Sequence, residues 1–386
     1  QSSLVLNGIR PQYTGQPAVI PLGLTWEKST TLNLGLDFAF LSNRLQFSGD
    51  IYQRKTTDMF TVGMSLPAVF GTDVPKGNYA DLTTKGFELS VSWRDQFQLA
   101  SKPFNYEVRF TLADYQSTID KYNNPEKKLG DDYYYEGMKV GEIWGYETEG
   151  FFTSQADIDS HAKQPYFYAG ATAGQWLPGD IKFKDLNGDG VIDYGNNTVD
   201  NPGDQKIIGN SEPRFIYGIN LSGDWNNFFV SAFFQGVGKQ DWWPGSEASY
   251  FWGMYNRPYN DMPKSHLGNI WTEENPNTYF PRLRGYSSEE PYAELNLKQT
   301  RYLQNIAYIR MKNIQLGYTL PKSFISKLRM QNAKVYVSGE NLWSWSPFYK
   351  YSKDLDVEAV RGSDRDLTEG TSGNGYSYPI LKSVSF

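Results

Sequence analysis

Phe87-Glu88-Leu89-Ser90-Val91-Ser92-Trp93-Arg94 decides the fold. Every odd position is large and apolar, and every even position is polar or charged. Successive side chains of a strand point to opposite faces, so the octet reads as a β-strand with one greasy and one wet face. The same alternation recurs on both sides of it. Leu32, Leu34, Leu36, Phe38 and Phe40 share a phase upstream, and Leu45, Phe47, Gly49 and Ile51 oppose Arg44, Gln46, Ser48 and Asp50. Downstream, Phe104, Tyr106, Val108, Phe110 and Leu112 oppose Asn105, Glu107, Arg109 and Thr111, and Phe215, Tyr217, Ile219 and Leu221 repeat the theme. Residues 228–237, 306–320, 334–342 and 378–386 alternate less cleanly. In the second of these the phase slips between Met311 and Ile314, which reads as a bulge. About nine strands result, each near the length that crosses a bilayer at a tilt.

The connections sort by length. Residues 41–43, 95–103, 225–227 and 321–333 are short or moderate, whereas 56–85, 116–213, 238–300 and 346–377 are long, and the two kinds alternate. Alternate connections of a meander lie at opposite ends, so one end has tight turns and the other large loops. That asymmetry predicts an all-β, antiparallel up-and-down transmembrane β-barrel with long extracellular loops, its last strand running toward the periplasm. The competing reading is a soluble or surface-anchored antiparallel β protein with one wet face, holding polysaccharide through its loops. Trp26, Trp93, Trp225, Trp343 and Trp345 fall near expected strand ends, where interfacial girdles sit.

Composition narrows the field. Lys and Arg total 37 against 43 Asp and Glu, and this net charge of -6 argues against nucleic acid. The absence of Cys excludes disulfide and thiol chemistry. No G-x-S-x-G elbow, P-loop or H-E-x-x-H is present, and an enzyme is not expected. His161 and His266 are expected in structural or surface roles, and the adjacent Glu289 and Glu290 lack the spacing of a hydrolytic pair. Ser154-Gln155-Ala156-Asp157 resembles a capping box opening a short helix, and 321–333 has room for another.

One segment suggests a metal. Asp185-Leu186-Asn187-Gly188-Asp189-Gly190-Val191-Ile192-Asp193 follows the first nine positions of the D-x-[DN]-x-[DN]-G loop. Hard oxygens at Asp185, Asn187 and Asp189, the Val191 carbonyl and a water-linked Asp193 would suit Ca2+, with Gly190 making the sharp turn. Asn196 stands where a bidentate acid belongs; Asp200 or Asp204 could substitute across a bulge. The alternative is an Asx-rich turn without an ion. Tyr133, Tyr134, Tyr135, Trp144, Tyr168, Trp242, Trp243, Tyr250, Phe251, Trp252 and Tyr255 crowd the long loops. We expect them to pack loops together more than to form a glycan platform.

A family resemblance rests on runs spread along the whole chain. They are Leu24-Thr25-Trp26-Glu27-Lys28-Ser29, Asn43-Arg44-Leu45, Asp50-Ile51-Tyr52, Lys85-Gly86-Phe87-Glu88-Leu89 and Gly150-Phe151-Phe152. Further on come Pro178-Gly179-Asp180-Ile181-Lys182-Phe183, the acidic loop, Ile208-Gly209-Asn210 and Tyr279-Phe280-Pro281-Arg282-Leu283. Ile309-Arg310-Met311-Lys312-Asn313, Leu316-Gly317-Tyr318-Thr319-Leu320-Pro321 and Gly339-Glu340-Asn341-Leu342 complete the series. In this order they resemble the C-terminal half of SusC/RagA-type, TonB-dependent outer-membrane transporters of the Bacteroidetes. The resemblance implies a plugged barrel of about 22 strands, a SusD-like lipoprotein lid, energy from TonB acting through the plug, and import of glycans or peptides. It makes residues 1–386 a C-terminal part of the barrel. The plug and signal peptide are then expected outside this sequence, and the remaining N-terminal part of the barrel closes it in membrane lipid.

Overall fold

The computed structural model describes residues 20–63, 69, 74–130, 133–164, 176–246, 248–257, 259–284, 288–289, 293–360 and 380–386. Its strands are β1 (Lys28–Phe40), β2 (Leu45–Val62), β3 (Lys76–Leu99), β4 (Lys102–Lys121), β5 (Glu142–Tyr146), β6 (Thr148–Phe151), β7 (Ile181–Phe183) and β8 (Gln205–Asn210). They continue as β9 (Arg214–Trp225), β10 (Phe228–Lys239), β11 (Asp241–Trp242), β12 (Gln304–Asn305), β13 (Tyr308–Thr319), β14 (Lys334–Trp345) and β15 (Ser383–Ser385). Nine of them form one antiparallel meander, β1-β2-β3-β4-β9-β10-β13-β14-β15. These are the nine segments expected from alternation; for the last, residues 378–379 lie outside the described residues. The expected bulge is present as well, at Met311/Asn313 against β14 and at Phe233/Phe234 against β13.

Register makes the two faces continuous across the sheet. Phe38, Phe47, Val91, Phe110, Ile219, Phe234, Met311 and Trp343 are paired in sequence from β1 to β14. The adjacent row, on the opposite face, is Asp37, Ser48, Ser90, Thr111, Gly218, Gln235, Arg310 and Ser344. A one-residue slip anywhere would exchange the faces, so register and hydrophobic pattern fix each other.

Strand ends differ from the expectation at the loop end. Residues 56–62 and 76–85, assigned above to a long connection, are strand. There the apolar face turns polar, with Gln53, Lys55, Thr83 and Lys85 in the phase that holds Ile51 and Phe87 lower down. The opposite phase meanwhile carries buried Ala80 and half-buried Leu82, the latter packed on a loop cluster around Ile119, so the alternation is lost although backbone pairing continues. At the short-turn end β3 also runs on, leaving Trp93 six residues inside it, whereas Trp225 ends β9 there and Trp345 ends β14 at the loop end.

Beyond the strand tops the loops build a second body. It contains the pairs β5-β8, β6-β7 and β11-β12 and the short helices α1 (Gln155–Ser160) and α2 (Ser249–Trp252). Ser154 caps α1 by accepting the Asp157 N–H at 3.2 Å, and the Asp157 carboxylate accepts the Thr153 N–H at 3.0 Å. The body has its own aromatic core, including Phe152, Phe183, Trp252, Tyr255, Phe280, Tyr302 and Phe348, all buried. That core joins the sheet through Ile216, Val237 and Tyr308, which share the phase of the polar row. The loop body thus seats on the loop end of the face that carries Glu88 and Arg109, and those two side chains stay exposed below it. Leu34 and Phe110, on the other face, stay exposed.

Candidate functional site

The acidic loop sits inside this body, between β7 and β8. Ile192 anchors it: the side chain is fully buried, and its N–H donates to the Lys163 carbonyl at 2.7 Å. Around that anchor the acidic side chains turn inward on the backbone. Asp185 accepts from Gly188 N at 2.6 Å and Gly190 N at 2.9 Å. Asn187 Oδ1 accepts from Asp189 N at 2.9 Å while its Nδ2 donates to Asp189 Oδ2 at 2.9 Å. Asp189 Oδ1 takes the Val191 N–H at 2.8 Å, and Asp193 takes that of Gly195 at 2.7 Å. Gly188 and Gly190 carry φ of 77° and 83°, the left-handed region where a side chain is strained.

Of the two substitutes for the missing twelfth-position acid, Asp204 is the one that reaches the loop. Its carboxylate is fully buried and accepts from Leu186 N at 2.7 Å and Asp193 N at 2.9 Å, bridging both ends of the motif. Burial pushes its carboxyl above the ordinary range, against those backbone donors. Among the described residues no three His, Asp or Glu side chains converge as a metal cluster. The donor set is nonetheless all hard oxygen, and Asp185, Asn187 and Asp189 ring one turn of backbone.

A buried charge cluster ties two long loops together. Asp180, fully buried, receives Arg284 through Nε at 2.7 Å and a second bond, with Arg282 at 3.9 Å. Beside it, fully buried Glu294 accepts the Ile181 N–H at 2.9 Å through Oε2, and its Oε1 has no hydrogen-bond partner among the described residues. Burial, then the nearby Asp180 charge, raises the Glu294 carboxyl well above the ordinary carboxylate range, to about 8. The third long loop is clamped similarly. Buried Arg310, on the polar row of the sheet, bonds Asp356 at 2.6 Å and lies 2.9 Å from Glu358, which also pairs with Lys312 at 2.6 Å. Neither cluster was foreseen, because its partners are 104 and 46 residues apart.

The loop aromatics divide as expected. Tyr135, Trp242, Phe251, Trp252 and Tyr255 are buried in packing, and Tyr250 is exposed. Both His are structural: His161 Nε2 is 2.8 Å from the Phe183 carbonyl, and His266 is buried 2.9 Å from that of Phe251. Tyr168 and Glu290 lie outside the described residues.

Comparison with known proteins follows the same outline. No family model matches the sequence. TonB-dependent receptor P3 of Formosa agariphila is 28% identical over 380 residues, covering 94% of this chain and 34% of that receptor. TonB-dependent receptor SusC of Bacteroides thetaiotaomicron is 23% identical over 368 residues, covering 91% and 31%. The RagAB peptide importer in its closed-closed state superposes with a TM-score of 0.65 at 19% identity, over 94% of this chain and 35% of that one. The chain therefore spans about a third of the length of the relatives it matches. Nearly all of it is homologous to TonB-dependent receptors, SusC among them, and its nine-stranded sheet has the fold of the RagAB barrel wall.

Proposed function

We propose that this chain is the loop-bearing wall of an outer-membrane importer that takes up glycans or peptides, with a SusD-like lipoprotein closing the loop end. Energy comes from TonB through a plug outside this sequence, and no reaction is catalysed. The observation that carries the reading is the pairing of the two rows. An apolar face stays bare while the loop body seats on the loop end of the opposite, polar face, as lipid outside and a watery channel inside require. The loop core ties three long loops to the channel side through Asp180–Arg284 and Arg310–Asp356, giving a firm rim on which a lid can seat.

Asp185, Asn187, Asp189, the Val191 carbonyl and Asp193 would hold Ca2+, with Asp204 bracing both ends of their loop. The ion would stiffen the longest loop, not take part in chemistry. The test of the importer reading is extraction and uptake with the whole protein. It should require detergent to leave the membrane, and its deletion should abolish growth on one large glycan or peptide source. Extraction into plain buffer would falsify the reading.

A further inference from the structure

At the short-turn end of the sheet the apolar face finishes in a row of rings. Phe97, Phe104, Trp225, Phe228, Tyr318 and Val335 are paired each to the next across six strands. Such rows mark the depth of lipid headgroups. The turns at this end, residues 41–44, 98–103, 226–227 and 319–334, carry Arg44, Lys102, Lys322, Lys327, Arg329 and Lys334, and no Asp or Glu. In a chain with net charge -6 this is a segregated positive edge.

Three of the six cations are otherwise engaged. Arg44 pairs with Asp95, Lys102 bonds Asn226, and Lys334 lies 5.3 Å over the Phe229 ring. Lys322, Lys327 and Arg329 are exposed and make no ion pair among the described residues. They share the 319–334 turn, where α3 (Lys322–Ile325) runs into a 3-10 turn at Ser326–Leu328 and is pinned by buried Ile325. Beside them Phe324 and Met330 are 56% and 49% exposed. A bare ring, a bare thioether chain and unpaired cations on one short turn are poorly served by water. At a lipid interface the apolar groups reach the acyl boundary and the cations reach phosphate.

We propose that the 319–334 turn is a docking surface for anionic phospholipid headgroups of the leaflet at the short-turn end. The inference rests on the barrel reading. An acidic polypeptide would satisfy the cations too, but would leave unexplained why Phe324 and Met330 stand bare six and twelve residues past Tyr318 of the aromatic row.

The experiment uses the whole importer, purified from its membrane, with retained lipids measured by mass spectrometry. Replacing Lys322→Gln, Lys327→Gln and Arg329→Gln together should lower the retained phosphatidylglycerol-to-phosphatidylethanolamine ratio about tenfold, since each cation contributes near an anionic surface. The charge-keeping set Lys322→Arg, Lys327→Arg and Arg329→Lys should preserve it. A high-salt wash of the unaltered protein should release the same lipid, as screening demands. An unchanged ratio in the Gln set, an equal fall in the charge-keeping set, or an acidic polypeptide retained in place of lipid would each overturn the proposal. A spin label at Phe110→Cys separates the two levels of inference. If it lies in hydrocarbon while the ratio is unchanged, only the headgroup site fails; if it lies in water, the barrel reading fails.

Discussion

Phe110 and Phe251 are the same side chain in opposite surroundings. Phe251 is 1% exposed, wedged among Trp242, Trp252, Phe280 and Phe348 in the loop body. Phe110 is 36% exposed on the sheet, flanked by Val91 and Ile219 in a row that none of the described residues covers. The loop body is stabilised as any water-bounded core is, by roughly 1.5–3 kcal/mol for each large apolar side chain removed from water. The sheet cannot be, because its apolar residues remain outside. Its stability in place depends on backbone pairing, and on hydrocarbon as the solvent for the bare face. The two regions should therefore answer differently to the same kind of change.

The largest effect is expected in the loop body. Trp252→Ala removes a fully buried ring whose Nε1 donates to Pro244 O at 3.0 Å, and should cost about 3–5 kcal/mol locally. Limited proteolysis should open residues 238–300 early, with membrane insertion unchanged. Phe110→Arg should do the reverse, costing about 2–4 kcal/mol where the row crosses the bilayer and leaving less protein in the membrane fraction. Thr111→Arg, one residue along on the polar face, should insert normally. If Thr111→Arg fails and Phe110→Arg succeeds, the faces have been assigned backwards.

The third test uses pH. Burial raises the Glu294 carboxyl from its ordinary 4.5 to about 8 in the folded loop body. Between those limits the folded state binds the extra proton, so this carboxyl's contribution is complete below about 4.5 and lost as pH rises to about 8. Glu294→Gln should flatten that decline and raise the loop body's melting point at pH 8 by several degrees, on the scale of about 2–4 °C per kcal/mol. His266, whose burial lowers its pKa, opposes this trend only in acid and is common to both proteins. Sheet unfolding, followed by heat-modified gel mobility, should keep the same pH profile in both. Calcium removal comes next in size: chelation should speed cleavage within residues 185–204, and Asp204→Asn should weaken the chelator's effect. An unaltered cleavage rate would count against a bound ion.

What could be read from the sequence follows the same division. The sheet was legible because one environment acts on each face for many residues, so a period of two survives in Phe87 to Arg94 without an exception. It stopped being legible above Ile51 and Phe87, where the outer face turns polar at Gln53 and Lys85 while Ala80 and Leu82 on the other face pack under the loops. The loop body was legible only in pieces. The α1 cap and the acidic loop are local, set by residues three to eight positions apart. Asp204 was one of two candidates because a bulge of unknown size separates it from Asp193. Asp180–Arg284 joins two long loops and Arg310–Asp356 joins a third to strand β13, and nothing local marks either pair.

The smallest prediction tests whether sheet and loop body are separable at all. Two of the tight turns place a pair of residues at positive φ, Ala100-Ser101 at 48° and 61°, and Asn226-Asn227 at 47° and 72°. Asn tolerates that region because its amide bonds the local backbone, whereas Ala and Ser have a Cβ crowding the following carbonyl and gain little in return. The β3-β4 turn therefore holds strain that the β9-β10 turn avoids. Ala100→Asn with Ser101→Gly should stabilise the sheet by about 1 kcal/mol, and Asn226→Ala with Asn227→Ser should undo a similar amount. Heat-modified gel mobility reads the sheet, and proteolysis of residues 238–300 reads the loop body. If the turn variants shift the first and leave the second, hydrocarbon-bounded and water-bounded regions unfold as separate units. If both shift together, Arg310 and Tyr308 couple them into one, since those side chains carry the loop body's charge clamp and core onto the strands.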